Sequence, residues 1–181
     1  MRNKSAKIVR LCRVSVFVAL ICICSWIQIP LGQIPFTMQL FGIYLALFTL
    51  GGIEGSLAVA VYLAIGAVGL PVFSSFSGGI GRLVDATGGF LQGFLLLALA
   101  FAALEALLGG GRVARVISSL IPLALTYLWG AGYYAVIFLG GISELWAALA
   151  VTVLPHLIPD LLKLALASFV ARRVRRALGW G

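Results

Sequence analysis

From Val14 to Ile53 the chain runs without one charged side chain, and three further charge-free stretches follow, Gly55 to Gly81, Ala86 to Leu104 and Val116 to Ser143. A helix crosses the hydrocarbon layer of a bilayer with roughly 20 apolar residues. Each stretch is therefore long enough to span, and the first is long enough to span twice. Pro30, Gly32 and Pro35 interrupt it and predict where it reverses. With 62% of residues hydrophobic and only 10% charged, the chain lacks the polar surface a water-soluble domain needs. The pattern predicts an all-α, polytopic membrane protein. Residues 1–181 form a single domain of six transmembrane helices, over about 9–29, 37–50, 56–70, 86–108, 113–139 and 145–171.

The net charge of +8 would suggest a nucleic-acid partner for a soluble protein, but its distribution has another cause. Eleven of the thirteen basic residues fall in three groups: Arg2, Lys4, Lys7, Arg10 and Arg13; Arg112 and Arg115; and Arg172, Arg173, Arg175 and Arg176. With an even number of crossings all three groups lie on one side, and the positive-inside rule makes that side cytoplasmic, with both termini. Base-stacking aromatics are missing among these cations apart from Trp180, so no nucleic-acid partner is expected. The front end resembles a signal peptide, a basic stretch before an apolar one, but without an A-x-A cleavage pattern it reads as a retained first helix. Cys12, Cys22 and Cys24 lack metal-type spacing and read as small apolar packing residues, and no metal or other cofactor is expected.

Asp160 and Lys163 carry the most information in the chain. A charge at membrane depth costs a few kcal/mol on insertion scales (about 2.5–3.5), so such groups face a cavity, a partner or a pathway. Their i, i+3 spacing puts both on one helix face, where each neutralises the other and keeps hydrogen-bonding capacity for a ligand. Pro159 immediately before them, with Pro155, predicts a kinked or broken last span. The alternative is a structural ion pair that locks the kink.

The longest non-helical segment, 71–85, holds a second pair, Arg82 and Asp85, with Ser74, Ser75 and Ser77. It reads either as a lid that supplies hydroxyls and amides to a polar ligand or as a solvated loop. Thr87, Gly88 and Gly89 head the fourth span and present backbone amides to an acceptor. Gln39 and Thr37 on the second span and Tyr127 on the fifth add polar tips to apolar faces, whereas Tyr133 and Tyr134 read as interfacial belt residues. Gly66 and Gly69 predict close helix contact. His156 stands alone, without a set of partners for a metal, and reads as a structural or rim residue. No HExxH, GxSxG, carboxylate pair or redox dithiol is present, so the polar set suits binding rather than bond-making.

Four stretches, in this order along the chain, resemble the BioY family, the biotin-specific S components of energy-coupling factor (ECF) transporters. They are Ile29-Pro30-Leu31 with Ile34-Pro35-Phe36-Thr37-Met38-Gln39; Gly66-Ala67-Val68-Gly69-Leu70-Pro71-Val72-Phe73; Ser77-Gly78-Gly79-Ile80-Gly81 with Thr87-Gly88-Gly89-Phe90-Leu91-Gln92-Gly93-Phe94; and Leu154-Pro155-His156-Leu157-Ile158-Pro159-Asp160-Leu161-Leu162-Lys163. Where the family usually has Pro-Thr-Gly-Gly-Tyr and Pro-Gly-Asp, this chain has Ala86-Thr87-Gly88-Gly89-Phe90 and Ile158-Pro159-Asp160. The resemblance implies a six-helix subunit of the bacterial cell membrane that binds biotin from outside. It also implies partnership with a transmembrane T component and two ABC-type ATPases, which hydrolyse the ATP. Ser15-x-x-x-Ala19 is similar to the family's contact with the T component. For biotin the resemblance, joined to the polar residues above, points to Asp160, Lys163, Arg82, Thr87, Gly88, Gln39, Ser77 and Tyr127. Asp160 would accept from the ureido group, and Lys163 or Arg82 would meet the carboxylate or orient Asp160. The alternatives are an S component for another vitamin or a metal ion, and a membrane-embedded enzyme using Asp160, Lys163 and His156.

Overall fold

In a bilayer every backbone N–H and C=O has to be satisfied within the chain, which favours helices wherever side-chain charge is absent. The computed structural model describes residues 2–29, 34–109 and 111–179, and the side chains of residues 2–6 and 112 are not described. The predicted reversal at Pro30 and Gly32 and the aromatic Trp180 lie outside these residues, as do the side chains of Arg2, Lys4 and Arg112. Helices are α1 (Arg2–Trp26), α2 (Gln39–Leu50), α3 (Gly52–Ala67), α4 (Gly88–Leu108), α5 (Arg112–Phe138), α6 (Leu145–Thr152) and α7 (Leu154–Ala177). Stretches Lys7–Trp26, Gly88–Leu108, Val113–Phe138 and Leu154–Ala177 are long and apolar enough to cross a membrane, whereas Gln39–Leu50, Gly52–Ala67 and Ile142–Thr152 are apolar but shorter.

Three features differ from the sequence expectation. A two-residue antiparallel ribbon, β1 (Gln28–Ile29) with β2 (Phe36–Thr37), flanks the first reversal, pairing Gln28 with Thr37 and Ile29 with Phe36. The turn expected over residues 51–55 shrinks to Gly51, whose φ of 86° glycine alone tolerates cheaply, so α3 begins at Gly52. The last span breaks at Val153, ahead of both prolines. Pro155 then sits in the first turn of α7, where its missing N–H costs nothing.

Contacts define the two ends of the bundle. At one end Arg10 on α1 pairs with Glu54 at 3.1 Å, Glu105 near the end of α4 accepts from the Gly52 N–H at 2.6 Å, and Arg175 near the end of α7 reaches the Phe48 carbonyl at 3.5 Å. The start of α1 and the end of α7 therefore share this end, as an even number of crossings requires. At the other end the Trp26 indole donates to the Pro71 carbonyl at 3.0 Å, Gln28 donates to the Ser75 hydroxyl at 2.7 Å and Tyr133 donates to the Val84 carbonyl at 2.9 Å.

Segment 71–87 is an ordered cap built from two short 3₁₀ turns, Ser74–Phe76 and Ile80–Leu83. Phe73 is fully buried against Tyr62, and its ring lies so close to Gly66 that it leaves no room for a Cβ there. Gly66 thus makes the close contact expected of it, with the cap rather than with another helix. A Cβ at Gly69 would meet nothing, and this glycine instead ends the turn with φ 115°.

The core gathers Ile43, Tyr44, Leu47, Val59, Tyr62, Leu97 and Phe101, all at most 1% exposed. Large apolar side chains such as Leu128, Ile137, Leu162 and Phe169 face outward. In water such a surface would associate, whereas in hydrocarbon it is matched to the solvent. Tyr134 is buried and stacked on Phe138, so packing rather than the membrane interface sets its place.

Candidate functional site

Helical periodicity places His156, Asp160 and Lys163 on one face of α7, at i, i+4 and i+7. All three are buried, at 8%, 8% and 5% exposure. Asp160 lies about 9 Å along the helix from its first residue at 1.5 Å rise per residue.

Both oxygens of Asp160 are held by donors. Lys163 Nζ donates to Oδ1 at 2.6 Å and the Tyr127 hydroxyl of α5 donates to Oδ2 at 2.8 Å. The Lys163 ammonium also lies 3.7 Å from the centroid of Phe36, which the ribbon brings over it. A carboxylate offers about four lone-pair positions, so Asp160 keeps acceptor capacity for a further donor. Neither His156 nitrogen has a hydrogen-bond partner among the described residues, and its ring stacks loosely on Phe36, with centroids 6.5 Å apart.

These groups line a cavity with a free interior of about 70 Å³. Its apolar wall includes Leu40, Phe90, Leu91, Phe94 and Leu123, and its polar wall includes Gln39, Ser74, Thr126 and Thr152. Sites for drug-sized ligands typically run to roughly 300–1,000 Å³, so a bicyclic ligand has to displace part of the wall on entry.

Of the residues singled out in the sequence, Asp160, Lys163, Gln39, Thr87 and Tyr127 line this cavity, and Ser77, Arg82 and Gly88 do not. Gln39 is anchored by donating to the Tyr62 hydroxyl at 2.8 Å. Ser77 donates to the Ser74 carbonyl at 2.6 Å, which holds Ser74 at the wall. Gly88 is pressed against the Leu83 carbonyl, which stands where a Cβ would need room, so its lack of a side chain is a packing requirement.

Arg82 pairs with Asp85 through Nη1, and Asp85 Oδ1 accepts from both the N–H and the hydroxyl of Thr87, each at 2.8 Å. Arg82 is thereby joined to the cavity through Asp85 and Thr87, with its Nε buried and without a partner among the described residues. Ser15 and Ala19 lie on an outward face of α1, away from the cavity.

His156, read from its isolation in the sequence as a structural or rim residue, lies one turn before Asp160 on the same face and lines the cavity. Thr126 and Thr152 left no comparable signal. Their hydroxyls bond to backbone carbonyls, Thr126 to Gly93 at 3.0 Å and Thr152 to Ala148 at 2.7 Å, and only the packing of α4, α5 and α6 brings them to the wall.

The fold is similar to that of the crystal structure at 2.1 Å of the S-component for biotin from an ECF-type ABC transporter. The TM-score is 0.81 over 97% of this chain and 94% of that one, at 23% identity. In sequence, the chain is 37% identical to the biotin transporter BioY of Thermotoga maritima over 92% of its own length and 96% of the relative's. A probable biotin transporter BioY of Pyrococcus horikoshii is also 37% identical, over 90% and 93% of the two chains. The biotin transporter BioY of Rhodobacter capsulatus is 34% identical over 89% and 90%. With the BioY family profile matching residues 1–180 and relatives aligned over nearly their whole length, the chain belongs to the BioY family.

Proposed function

We propose that this chain is a biotin-binding S component that mediates vitamin uptake with an ATP-driven energy-coupling module. The observation that carries the reading is a buried carboxylate, Asp160, aligned by Lys163 and Tyr127 at the wall of a largely apolar cavity. Biotin's fused rings and aliphatic tail suit the apolar wall, and its ureido N–H groups need an acceptor.

Asp160 accepts from the ureido group, and Lys163 orients and neutralises Asp160. His156 supplies a further donor or acceptor to the ring system from its unpartnered nitrogens. Gln39, Thr87 and Tyr127 complete the polar wall, while Ser77 and Gly88 shape the cap. The biotin carboxylate meets Arg82 at the mouth, a role supported by its unpartnered Nε and its link through Asp85 to Thr87.

The protein sits in the bacterial cell membrane as six spans, α6 and α7 together making the last, with both termini cytoplasmic. The basic groups at the terminal end of the bundle support this orientation. A transmembrane T component docks on the outward small-residue face of Ser15 and Ala19, and two ABC-type ATPases supply the energy.

Equilibrium binding of radiolabelled biotin to the purified protein, with competition by thiamine and riboflavin, tests the reading. Only unlabelled biotin is expected to displace the label. Displacement by either other vitamin at similar concentration would assign the cavity to a different ligand.

A further inference from the structure

A lysine makes a flexible cation. Its four-carbon stem carries a point charge with rotatable donors, and holding it in one rotamer costs more side-chain entropy than most residues lose. Lys163 is nevertheless held, 5% exposed, with Nζ donating to Asp160 Oδ1 at 2.6 Å. That bond uses one N–H of the ammonium and leaves the charge to be compensated on its other side.

Phe36 stands on that other side. The ammonium lies 3.7 Å from the centroid of its ring, inside the roughly 6 Å within which the negative face of an aromatic attracts a cation. The same ring stacks on His156, with centroids 6.5 Å apart. One side chain on β2 therefore touches the residues at i−4 and i+3 of Asp160 on α7. Side chains alternate along a strand, so Thr37 faces the cavity while Phe36 turns away from it. Lys163 lines the cavity and Phe36 does not, so the ring meets the ammonium from outside the cavity wall and leaves the ligand's space free.

The place of the ring is set by the ribbon. Phe36 pairs with Ile29 and Thr37 with Gln28, the Met38 N–H donates to the Ile27 carbonyl at 3.0 Å, and the Gln28 side chain donates to the Ser75 hydroxyl at 2.7 Å. A slip of one residue in this register would turn Phe36 away from the ammonium. We propose that Phe36 is a positioning residue for vitamin binding. Its ring holds the Lys163 ammonium on Asp160 through a cation–π contact, so that the carboxylate is oriented before the ligand arrives. This role rests on the reading of the cavity as the vitamin site.

Two measurements on the full-length protein in detergent separate positioning from simple packing. The chain's lysines are Lys4, Lys7 and Lys163, so lysine labelled with carbon-13 at Cε gives few NMR signals to assign. The ε-methylene protons of Lys163 should lie upfield of a solvated lysine's, through the ring current of Phe36, and return to that position in Phe36→Leu. In the second measurement mono-, di- and trifluorophenylalanine replace Phe36, which nearly keeps the size of the ring and withdraws charge from its face. Affinity for radiolabelled biotin should fall stepwise, by about three- to tenfold in all, the ordering cost of one long side chain. Phe36→Tyr, whose ring face also attracts cations, should stay within about twofold of the parent. The fluorinated residues fill the same space, so a fold lost in Phe36→Leu leaves the second measurement standing.

A Lys163 signal that Phe36→Leu leaves in place would overturn the proposal. A parent that binds biotin, with equal affinity across the fluorinated series, would reduce Phe36 to a packing residue and overturn this role alone. A parent that binds no biotin would overturn the vitamin reading and this role together.

Discussion

A lysine and an aspartate buried side by side are costly to desolvate and costlier to separate, because removing one leaves the other uncompensated. Lys163→Met should therefore destabilise the protein by about 3–5 kcal/mol, read as a lowered thermal midpoint in detergent. The double variant Asp160→Asn with Lys163→Met should recover most of that loss without recovering biotin binding. A structural pair with no ligand role would instead leave binding intact in the double variant. Asp160→Asn alone keeps the shape and removes the charged acceptor. It should lower biotin affinity by roughly ten- to a hundredfold, the worth of a hydrogen bond to a charged group at about 1.5–3 kcal/mol. His156→Phe removes two buried polar atoms that have no partner among the described residues, so stability should hold or rise while biotin affinity falls. Asp160 and Lys163 were legible in the sequence because charge is so rare there. His156 was legible only through its spacing from them, and Thr126 not at all, since its place at the wall depends on how α4 meets α5.

Helices were the most legible elements, since charge-free stretches of sufficient length leave few alternatives in a membrane. The ribbon β1–β2 was not legible, and of the break predicted in the last span only its place, Val153, was not. The ribbon is two residues long on each strand, too short for any periodic pattern, and the break precedes the prolines that predicted it. The segment that starts at Pro71 was read as a lid or a solvated loop, but its conformation is set by distant partners, Trp26 stacked on Phe76 at 5.0 Å and Phe73 seated on Gly66. Gly66→Val would drive a side chain into the Phe73 ring. Overpacking of this kind costs typically 1–3 kcal/mol and should lower both the thermal midpoint and biotin affinity, by loosening the cap. On α1 the outward face around Ser15 and Ala19 makes a different prediction. Ala19→Leu should leave biotin binding by the isolated protein unchanged and reduce copurification of the T component. Unchanged copurification would remove that face from the docking surface.

For the molecule as a whole, the Arg10–Glu54 ion pair and hydrogen bonds at one end and the Trp26, Gln28 and Tyr133 contacts at the other give the bundle two distinct faces. The charge asymmetry then sets orientation. In a chain whose native cysteines are replaced by alanine, Ser143→Cys should react with an impermeant maleimide in intact cells, and Lys4→Cys only after permeabilisation. The reverse pattern would invert the topology. The cavity joins the scales, because α2, α4, α5 and α7, the ribbon and the cap all contribute to it, and only an assembled bundle brings Gln39, Thr87, Tyr127 and Asp160 to one space. Determining the structure of the protein with biotin bound tests the account most directly. A ureido nitrogen within about 3 Å of the Asp160 carboxylate, with Lys163 still on its other oxygen, is the predicted result. Biotin bound elsewhere, or bound in the cavity with Asp160 turned away from it, would contradict it.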